Sequence, residues 1–164
     1  MKMEYGYVMV GLQEKDILTF MSLVRNICDQ TDFYYSEVID YIKGDVSARM
    51  HLTLFYGFID EKIDKKKLKE HIKKINLKNL KLGKLFLTQG YQNQYKVLCL
   101  EVLDENNNLK KIHDSFKAFP YESTVQHGTF KPHLTLAYLR PNFTLNQYPS
   151  FPTKIKVKKI TYNT

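Results

Sequence analysis

The sequence predicts one domain of mixed strands and helices, residues 1–164, built from two similar halves. The tetrapeptide His-Leu-Thr-Leu occurs twice, beginning at His51 and at His133, about 80 residues apart. In each half, the pattern of a strand and then of a helix precedes the repeated tetrapeptide. At 164 residues and 43% hydrophobic content, the chain can bury a core of its own. These observations indicate two lobes that share one core.

Both copies of the tetrapeptide alternate polar residues with leucine, which is the period of a strand with one buried face. Residues i and i+2 of a strand point the same way, so His51 lies beside Thr53 and His133 beside Thr135. The opposite face is predicted to pack in the core and carries Leu52, Leu54, Tyr56, Leu134, Leu136 and Tyr138. Each copy is therefore predicted to present an imidazole and a hydroxyl on an open strand face.

The first half begins with a predicted strand over 5–12. A helix follows, with Asp16 as its expected N-cap and apolar residues at helical spacing. The residues of this stripe are Ile17, Phe20, Met21, Val24, Ile27 and Cys28. A second strand over 33–41 and a turn at 43–45 lead to the first motif strand, 49–58.

The second half begins with a helix that Asp64 is predicted to cap, followed by strands over 80–89 and 95–103. A third helix is expected after the asparagines at 106–108, and Pro120 ends it. The apolar stripes of these two helices comprise Leu68, Ile72 and Ile75, and then Leu109, Ile112, Phe116 and Phe119.

After a loop over 121–131, the second motif strand begins behind Pro132. An irregular, proline-containing connection over 141–152 precedes a last strand, 154–162. A break in its alternation at 158–159 predicts a β-bulge. The repeated order indicates an internal duplication with pseudo-twofold symmetry, in which the two motif strands face one another across a groove.

The charge pattern favours an anionic partner, of which phosphate is the obvious candidate. The formal net charge is +8, and residues 60–84 carry ten lysines against four acids. Four more lysines lie within 154–159. The alternative interpretation is a solvated helix face beside an edge strand that lysines protect from aggregation.

The two cysteines, Cys28 and Cys99, lie in apolar surroundings without the spacing of metal ligands. They are interpreted as small buried hydrophobic residues in a reducing compartment. The sequence shows neither the layout of a signal peptide nor an apolar run of membrane-spanning length. We therefore expect a soluble cytoplasmic protein, with no membrane partner.

Two histidines on facing strands can divide one proton-transfer reaction. A neutral imidazole accepts a proton from the attacking oxygen, and an imidazolium donates one to the leaving oxygen. Phosphodiester cleavage fits this arrangement, with a ribose hydroxyl or water as the nucleophile. Thr53 and Thr135 could donate hydrogen bonds to the phosphoryl oxygens. This scheme requires neither a metal nor a cofactor.

Paired His-hydrophobic-Thr-hydrophobic motifs, here His51 to Leu54 and His133 to Leu136, resemble those of the 2H phosphoesterase superfamily. That superfamily includes bacterial 2′-5′ RNA ligase-like proteins, cyclic phosphodiesterases and phage enzymes that degrade cyclic oligonucleotide signals. The resemblance implies a bilobal, pseudo-symmetric α+β fold, with two mainly antiparallel sheets facing a central groove and helices outside. It also implies metal-independent chemistry, with His51 and His133 as the acid/base pair and Thr53 and Thr135 as phosphate ligands. Which histidine is the acid does not follow from the sequence.

Five further residues are candidates for substrate binding: Tyr5, Tyr7, Arg49, Phe55 and Lys131. The two tyrosines could stack on a base. Arg49 and Lys131 each lie two residues before a motif histidine, so either could hold phosphate or simply aid solubility. Phe55 shares the face of His51 and could line the groove or belong to the core.

The remaining histidines are given weaker roles. His71, in the lysine-rich helix, and His113, placed off the apolar stripe, are predicted to lie at the surface. His127, in the loop before the second motif, could touch a ligand or simply lie in that loop.

The sequence thus predicts a monomeric, metal-independent phosphodiesterase acting on a small cyclic nucleotide or a cyclic oligonucleotide signal, as in phage evasion of nucleotide-based defence. Processing of RNA ends, by 2′,3′-cyclic phosphodiesterase or 2′-5′ ligase-like chemistry, is the alternative at the same site. From other classes, a sponge that binds nucleotides without turnover and a purely structural protein remain open. Glycine-rich phosphate loops and the motifs of zinc hydrolases and serine esterases are absent.

Overall fold

The computed structural model of the protein describes residues 5–34, 50–126 and 128–164. The described part of the chain contains six β-strands and three α-helices. In chain order they are β1 Tyr5–Leu12, α1 Glu14–Ile27, β2 His51–Ile59, α2 Lys65–Lys73, β3 Asn79–Gln89, β4 Lys96–Leu103, α3 Asn108–Ser115, β5 His133–Leu139 and β6 Lys154–Asn163.

These elements confirm most of the predicted order. The strand predicted over 33–41 is described only at its beginning, where Phe33 forms an isolated bridge with Leu139. The rest of that strand, the turn at 43–45, Arg49 and His127 lie outside the described residues.

The six strands form one closed ring in the order β1-β2-β5-β4-β3-β6, with every pairing antiparallel. Long pairings build two arcs, β6-β1-β2 and β3-β4-β5. Short pairings between β2 and β5 and between β3 and β6 join the arcs. The α+β fold with antiparallel strands is confirmed, but the strands form one closed ring in place of the two separate sheets that were expected.

The position of the motif strands corrects one expectation. β2 and β5 do not face one another across a groove, because they are hydrogen-bonded neighbours in the ring. Their described pairing is confined to His51 with Thr135 and Leu52 with Leu134. Beyond this pairing, β2 forms a single bridge from Phe58 to Tyr121, and β5 forms a single bridge from Leu139 to Phe33.

Two helices cover the apolar side of the motif strands. α1 packs against β5 and α3 against β2, so each helix covers the motif strand of the other half. Phe20 and Val24 from α1 are fully buried, as are Leu52 and Leu134 beneath the motifs. Full burial of a leucine side chain stabilises the fold by about 1.5–3 kcal/mol, so the apolar face fixes which way the motif residues point.

Local hydrogen bonds explain where the helices begin. The Asp64 carboxylate accepts from the Lys67 amide at 3.2 Å, which confirms the predicted cap of α2. α1 begins earlier than predicted, with Gln13 as N-cap and Asp16 in the first turn. At α3, the carboxylate of Asp104 accepts from the amides of Leu109 and Lys110, in place of an asparagine side chain.

β-Bulges shift the alternation in both motif strands. Thr53 and Phe55 pair with consecutive residues of β1, and Thr135 and Ala137 pair with consecutive residues of β4. Each motif strand therefore has one extra, unpaired residue at this point. The extra residue turns Phe55 and Ala137 into the core. The predicted core positions of Tyr56 and Tyr138 are therefore wrong, since Tyr56 is 43% exposed and Tyr138 is partly exposed. The bulge predicted in β6 is confirmed, because Gly11 pairs with Lys159 and Leu12 with Val157.

Candidate active site

The two His-Leu-Thr-Leu motifs meet at the pairing of β2 with β5. His51 lies directly across from Thr135, and the same register extended by one residue sets Thr53 beside His133. Directly opposed residues of antiparallel strands point to the same face with Cβ atoms about 5 Å apart. The two imidazoles and two hydroxyls therefore form one cluster on the face opposite Leu52 and Leu134, and this cluster is called the His-Thr quartet below.

The quartet has pseudo-twofold symmetry. A twofold axis through the pairing of Leu52 with Leu134 exchanges His51 with His133 and Thr53 with Thr135. The side chains of all four polar residues are partly exposed while the two leucines are fully buried. The two histidines therefore lie on opposite sides of the quartet centre. For a phosphodiester bound there, one histidine could accept a proton from the attacking oxygen and the other could donate a proton to the leaving oxygen, as general acid–base cleavage requires.

One hydrogen bond fixes the orientation of the second histidine. His133 Nδ1 lies 2.9 Å from the backbone oxygen of Lys131. A carbonyl oxygen only accepts, so Nδ1 carries the hydrogen and donates it. In the neutral ring, Nε2 then holds the lone pair and is the atom available for proton transfer. The edge of Phe86 packs near this ring, with centroids 6.4 Å apart.

A cleft of about 540 Å³ opens beside Thr53 and His133. Its walls carry Tyr56, Phe86 and Phe130. Polar groups come from Thr88, Gln126 and Thr129. The volume and the mixture of aromatic walls with a few polar groups are typical of a small-molecule site.

Gly57 allows the loop that frames this cleft to approach β2. Its φ is +110°, and a Cβ at this position would lie 2.6 Å from Val125 Cγ2. The Gly57 carbonyl accepts from the amide of Glu122 at 2.9 Å, and Gln126 Nε2 donates to the carbonyl of Tyr56. A residue with a side chain would be strained here and would displace the loop.

His113 lies beneath the cleft and corrects its predicted surface position. It is 9% exposed, and its Nδ1 donates to the carbonyl of Leu54 at 2.6 Å. Its ring stacks on Phe130 at 4.3 Å with an interplanar angle of 12°. Burial lowers the pKa of His113, partly offset by the bond to Leu54 and by the nearby carboxylate of Asp114.

The sequence contained a signal for His113, since it follows Leu109 by four residues and precedes Phe116 by three. These spacings place it on the helix face that packs against β2. Phe86, Gln126 and Phe130 were not placed at the site from the sequence either. They come from a loop and from another strand, and such residues show no spacing pattern that marks a cleft.

Three of the predicted binding residues lie on the motif side of the fold. Tyr5 and Tyr7 occupy the motif-side face of β1, with ring centroids 6.1 and 6.3 Å from that of Tyr56. Lys131 lines the cleft. Phe55 borders the cleft but is only 1% exposed and packs against Phe58 at 4.6 Å, so it supports the cleft wall from within the core.

The lysine-rich helix packs against β6, away from the cleft. A separate groove of about 610 Å³ lies between the end of α2 and β6, and none of the quartet residues lines it. Its described lining contains no acidic residue and includes the lysines Lys73, Lys78, Lys156, Lys158 and Lys159. The groove is therefore strongly cationic, in keeping with the anionic partner that the charge pattern indicates.

His71 and the cysteines take structural positions. His71 is partly buried against Phe116 rather than at the surface, and its Nε2 lies 2.8 Å from Ser115 Oγ. Both cysteines are free and buried, and burial raises the pKa of the Cys28 and Cys99 thiols to about 12. They stay protonated near neutral pH and are poor nucleophiles.

Neither a membrane-spanning helix nor a metal-binding group is found among the described residues. No helix in them is long and apolar enough to cross a membrane. Within the same ranges, no three His, Cys, Asp or Glu side chains converge as a metal-binding group.

No protein-family model and no curated protein sequence matches the chain. Solved structures do resemble it across most of its length. A phosphoesterase crystal structure has a TM-score of 0.62 and 17% identity, covering 97% of this chain and 86% of its own. E. coli LigT complexed with 3′-AMP has a TM-score of 0.56 and 16% identity, with coverages of 97% and 86%. Kluyveromyces marxianus Usb1 with uridine monophosphate has a TM-score of 0.55 and 11% identity, with coverages of 83% and 72%.

The resemblance predicted from the two motifs is thus confirmed at the level of the fold. The chain has the 2H phosphoesterase fold, with the two motifs on the neighbouring strands β2 and β5.

Proposed function

We propose that the protein is a phosphodiesterase that cleaves a nucleotide phosphodiester at the His-Thr quartet, with its two halves acting as lobes of one domain. The pairing of His51 with Thr135 carries the proposal, because this register gathers two imidazoles and two hydroxyls on one exposed face. The LigT structure with 3′-AMP and the Usb1 structure with uridine monophosphate support a nucleotide as the ligand.

In the proposed reaction, one histidine accepts the proton of the attacking hydroxyl or water while the other protonates the leaving oxygen. General acid–base catalysis of this kind contributes about 10²–10⁴-fold in rate. His133 would act through Nε2, because its Nδ1 is held by the Lys131 carbonyl. Thr53 and Thr135 would donate hydrogen bonds to the phosphoryl oxygens as negative charge develops.

Charged and aromatic residues around the quartet would hold the rest of the nucleotide. Lys131, which lines the cleft, and Arg49, two residues before His51, are proposed to attract the phosphate. Tyr5 and Tyr7 are proposed to stack on a base, since aromatic rings bind bases of any sequence.

Within this class we favour a small cyclic nucleotide or a cyclic oligonucleotide signal as the substrate, with evasion of a nucleotide-based defence as the corresponding role. A compact cleft of about 540 Å³ with aromatic walls supports a small ligand. Processing of RNA ends is the second candidate, and the lysine-lined groove beside β6 is the observation that favours it.

A substrate panel tests the proposal. The wild type and a His51→Ala/His133→Ala double variant would be incubated in EDTA with cyclic dinucleotides and trinucleotides, 2′,3′-cyclic mononucleotides and 2′-5′-linked dinucleotides. Turnover of cyclic oligonucleotides by the wild type alone supports a signal-degrading enzyme. Turnover confined to the other substrates supports RNA-end processing. Tight binding without turnover of any substrate contradicts the catalytic proposal and leaves a nucleotide sponge.

A further inference from the structure

Six tyrosines form two clusters, one beside each motif strand. The first comprises Tyr5, Tyr7 and Tyr56, beside the cleft. In the second cluster, the Tyr95 ring lies 5.6 Å from Tyr138 and 5.2 Å from Tyr34.

The two clusters occupy equivalent positions. Tyr56 is five residues after His51, and Tyr138 is five residues after His133. Both follow a bulge that turns the intervening residue into the core, so both rings return to the motif side of their strands. Tyr5 begins β1 and Tyr95 directly precedes β4, so two tyrosines of each cluster correspond.

These six rings lie outside the main hydrophobic core, although Tyr95 also packs against Gly90. Among the described residues, Tyr121 and Tyr162 pack against the main hydrophobic core, and the six clustered tyrosines do not. All six are partly or largely exposed. Partly exposed rings grouped beside the proposed phosphate site are an arrangement by which proteins stack nucleobases.

The quartet lies midway between the two tyrosine clusters, and this distance limits which part of a substrate each cluster could bind. Four residues separate Leu52 from Tyr56 and Leu134 from Tyr138, which is about 13 Å along a strand. A phosphate at the quartet could therefore extend one nucleoside toward each cluster, in opposite directions. The cleft beside Tyr56 would hold one base, and a second base would need its own platform.

We propose that Tyr95 and Tyr138 form a second base-stacking subsite, so that the substrate has a nucleoside on both sides of the scissile phosphate. This inference rests on the proposed function and narrows it. The substrate class becomes a dinucleotide step of a linear or cyclic oligonucleotide, in preference to a 2′,3′-cyclic mononucleotide.

The kinetic test compares two substrates. For the wild type, Tyr138→Leu and Tyr138→Phe, kcat/KM would be measured on a diadenylate (2′-5′- and 3′-5′-linked) and on adenosine 2′,3′-cyclic phosphate. The ratio of the two values should fall about 5- to 150-fold in Tyr138→Leu, the range expected for loss of one base–aromatic stack. Tyr138→Phe keeps the ring and should keep the ratio. Tyr148→Leu is the matched control, since Tyr148 is 68% exposed and outside both clusters.

A binding test does not depend on turnover. Calorimetry with a 2′-deoxy diadenylate, which lacks the attacking hydroxyl, should show tighter binding than with deoxyadenosine monophosphate. This advantage should disappear in Tyr138→Leu.

The outcomes separate the two claims. If Tyr138→Leu leaves the kinetic ratio and the binding advantage unchanged while the wild type cleaves phosphodiesters, the second subsite is refuted and the phosphodiesterase stands. If the dinucleotide binds through Tyr138 but no substrate is cleaved, the subsite stands and the phosphodiesterase is refuted.

Discussion

The two motif strands share one pattern but have different surroundings. In both, His-Leu-Thr-Leu is followed by a bulge and a tyrosine that returns to the motif side. Across from His51, however, lies Gly11, whereas Glu101 lies across from His133. The shared part gathers the two imidazoles and two hydroxyls of the quartet. The difference places two chemically identical histidines in unlike environments, as the proposed acid and base roles would require.

The loops and helices around the two copies differ as well. Gly57 in the first copy admits the 122–126 loop, while Leu139 holds the corresponding position in the second. His113 from α3 binds the bulge of the first copy through the Leu54 carbonyl. The two copies therefore share the quartet residues, while the residues around them differ, as we would expect if each half contacts a different side of the proposed substrate.

The largest effect is expected from removing either histidine. His51→Ala and His133→Ala should each lower kcat/KM by about 10²–10⁴-fold, because acid and base are both needed in one transition state. The double variant should be little worse than either single variant, since the groups act as a unit. Full activity in either single variant would refute the pairing of the motifs.

The threonines should contribute equally but less. Thr53→Val and Thr135→Val remove one hydroxyl donor each and should lower kcat by up to about 100-fold, the lower bound for one oxyanion-hole donor. Thr→Ser at each position keeps the hydroxyl and serves as the control. A large loss at one position and none at the other would show that only one threonine contacts the phosphate.

Gly57→Ala tests the difference between the copies. The positive φ and the close approach of Val125 should make this substitution destabilising by about 1–3 kcal/mol in chemical denaturation. Gly11→Ala is the control for stability, because its Cβ would meet Lys159 O at an ordinary 3.7 Å and should change stability by less than about 1 kcal/mol. An equal loss of stability in Gly57→Ala and Gly11→Ala would contradict a specific requirement for glycine at position 57.

The smallest effect concerns stability against pH. Burial lowers the pKa of His113 and of His71, so the folded state resists their protonation. In the unfolded chain both titrate near 6.5, so the free energy of unfolding should fall as pH drops below about 6.5.

Substitutions of the two histidines test which of them causes this pH dependence. His113→Phe should be less stable at pH 7.5, because the Leu54 carbonyl loses its donor, and its stability should fall less steeply between pH 7 and 5. His71→Gln provides the comparison for the other buried imidazole. An unchanged slope in His113→Phe would contradict the assignment.

Much of this fold and site could be predicted because the repeat carries its information locally. Period-two alternation fixes which residues share a face, so His51 and Thr53 could be placed together before any strand pairing was known. Helices with regular apolar stripes, and the cap at Asp64, follow from equally local rules.

The missed features depend on contacts between distant segments. The bulge after Thr53 arises from pairing with β1, so alternation alone placed Tyr56 in the core and Phe55 on the open face. That the motif strands are neighbours depends on how the ring closes, which no residue spacing encodes. The cleft walls at Phe86 and Phe130 come from segments whose sequences show no pattern that marks a site.

An activated substrate tests the division of labour between the two histidines most directly. Uridine 3′-(4-nitrophenyl phosphate) releases nitrophenolate, which leaves without being protonated, so loss of the general acid should matter little. Its cleavage would be compared with that of an ordinary dinucleotide in His51→Ala and His133→Ala. One variant should recover most of its activity on the activated substrate while the other stays inactive, which would also identify the acid. Equal recovery, or no recovery in either variant, would contradict a quartet in which one histidine is the acid and the other the base.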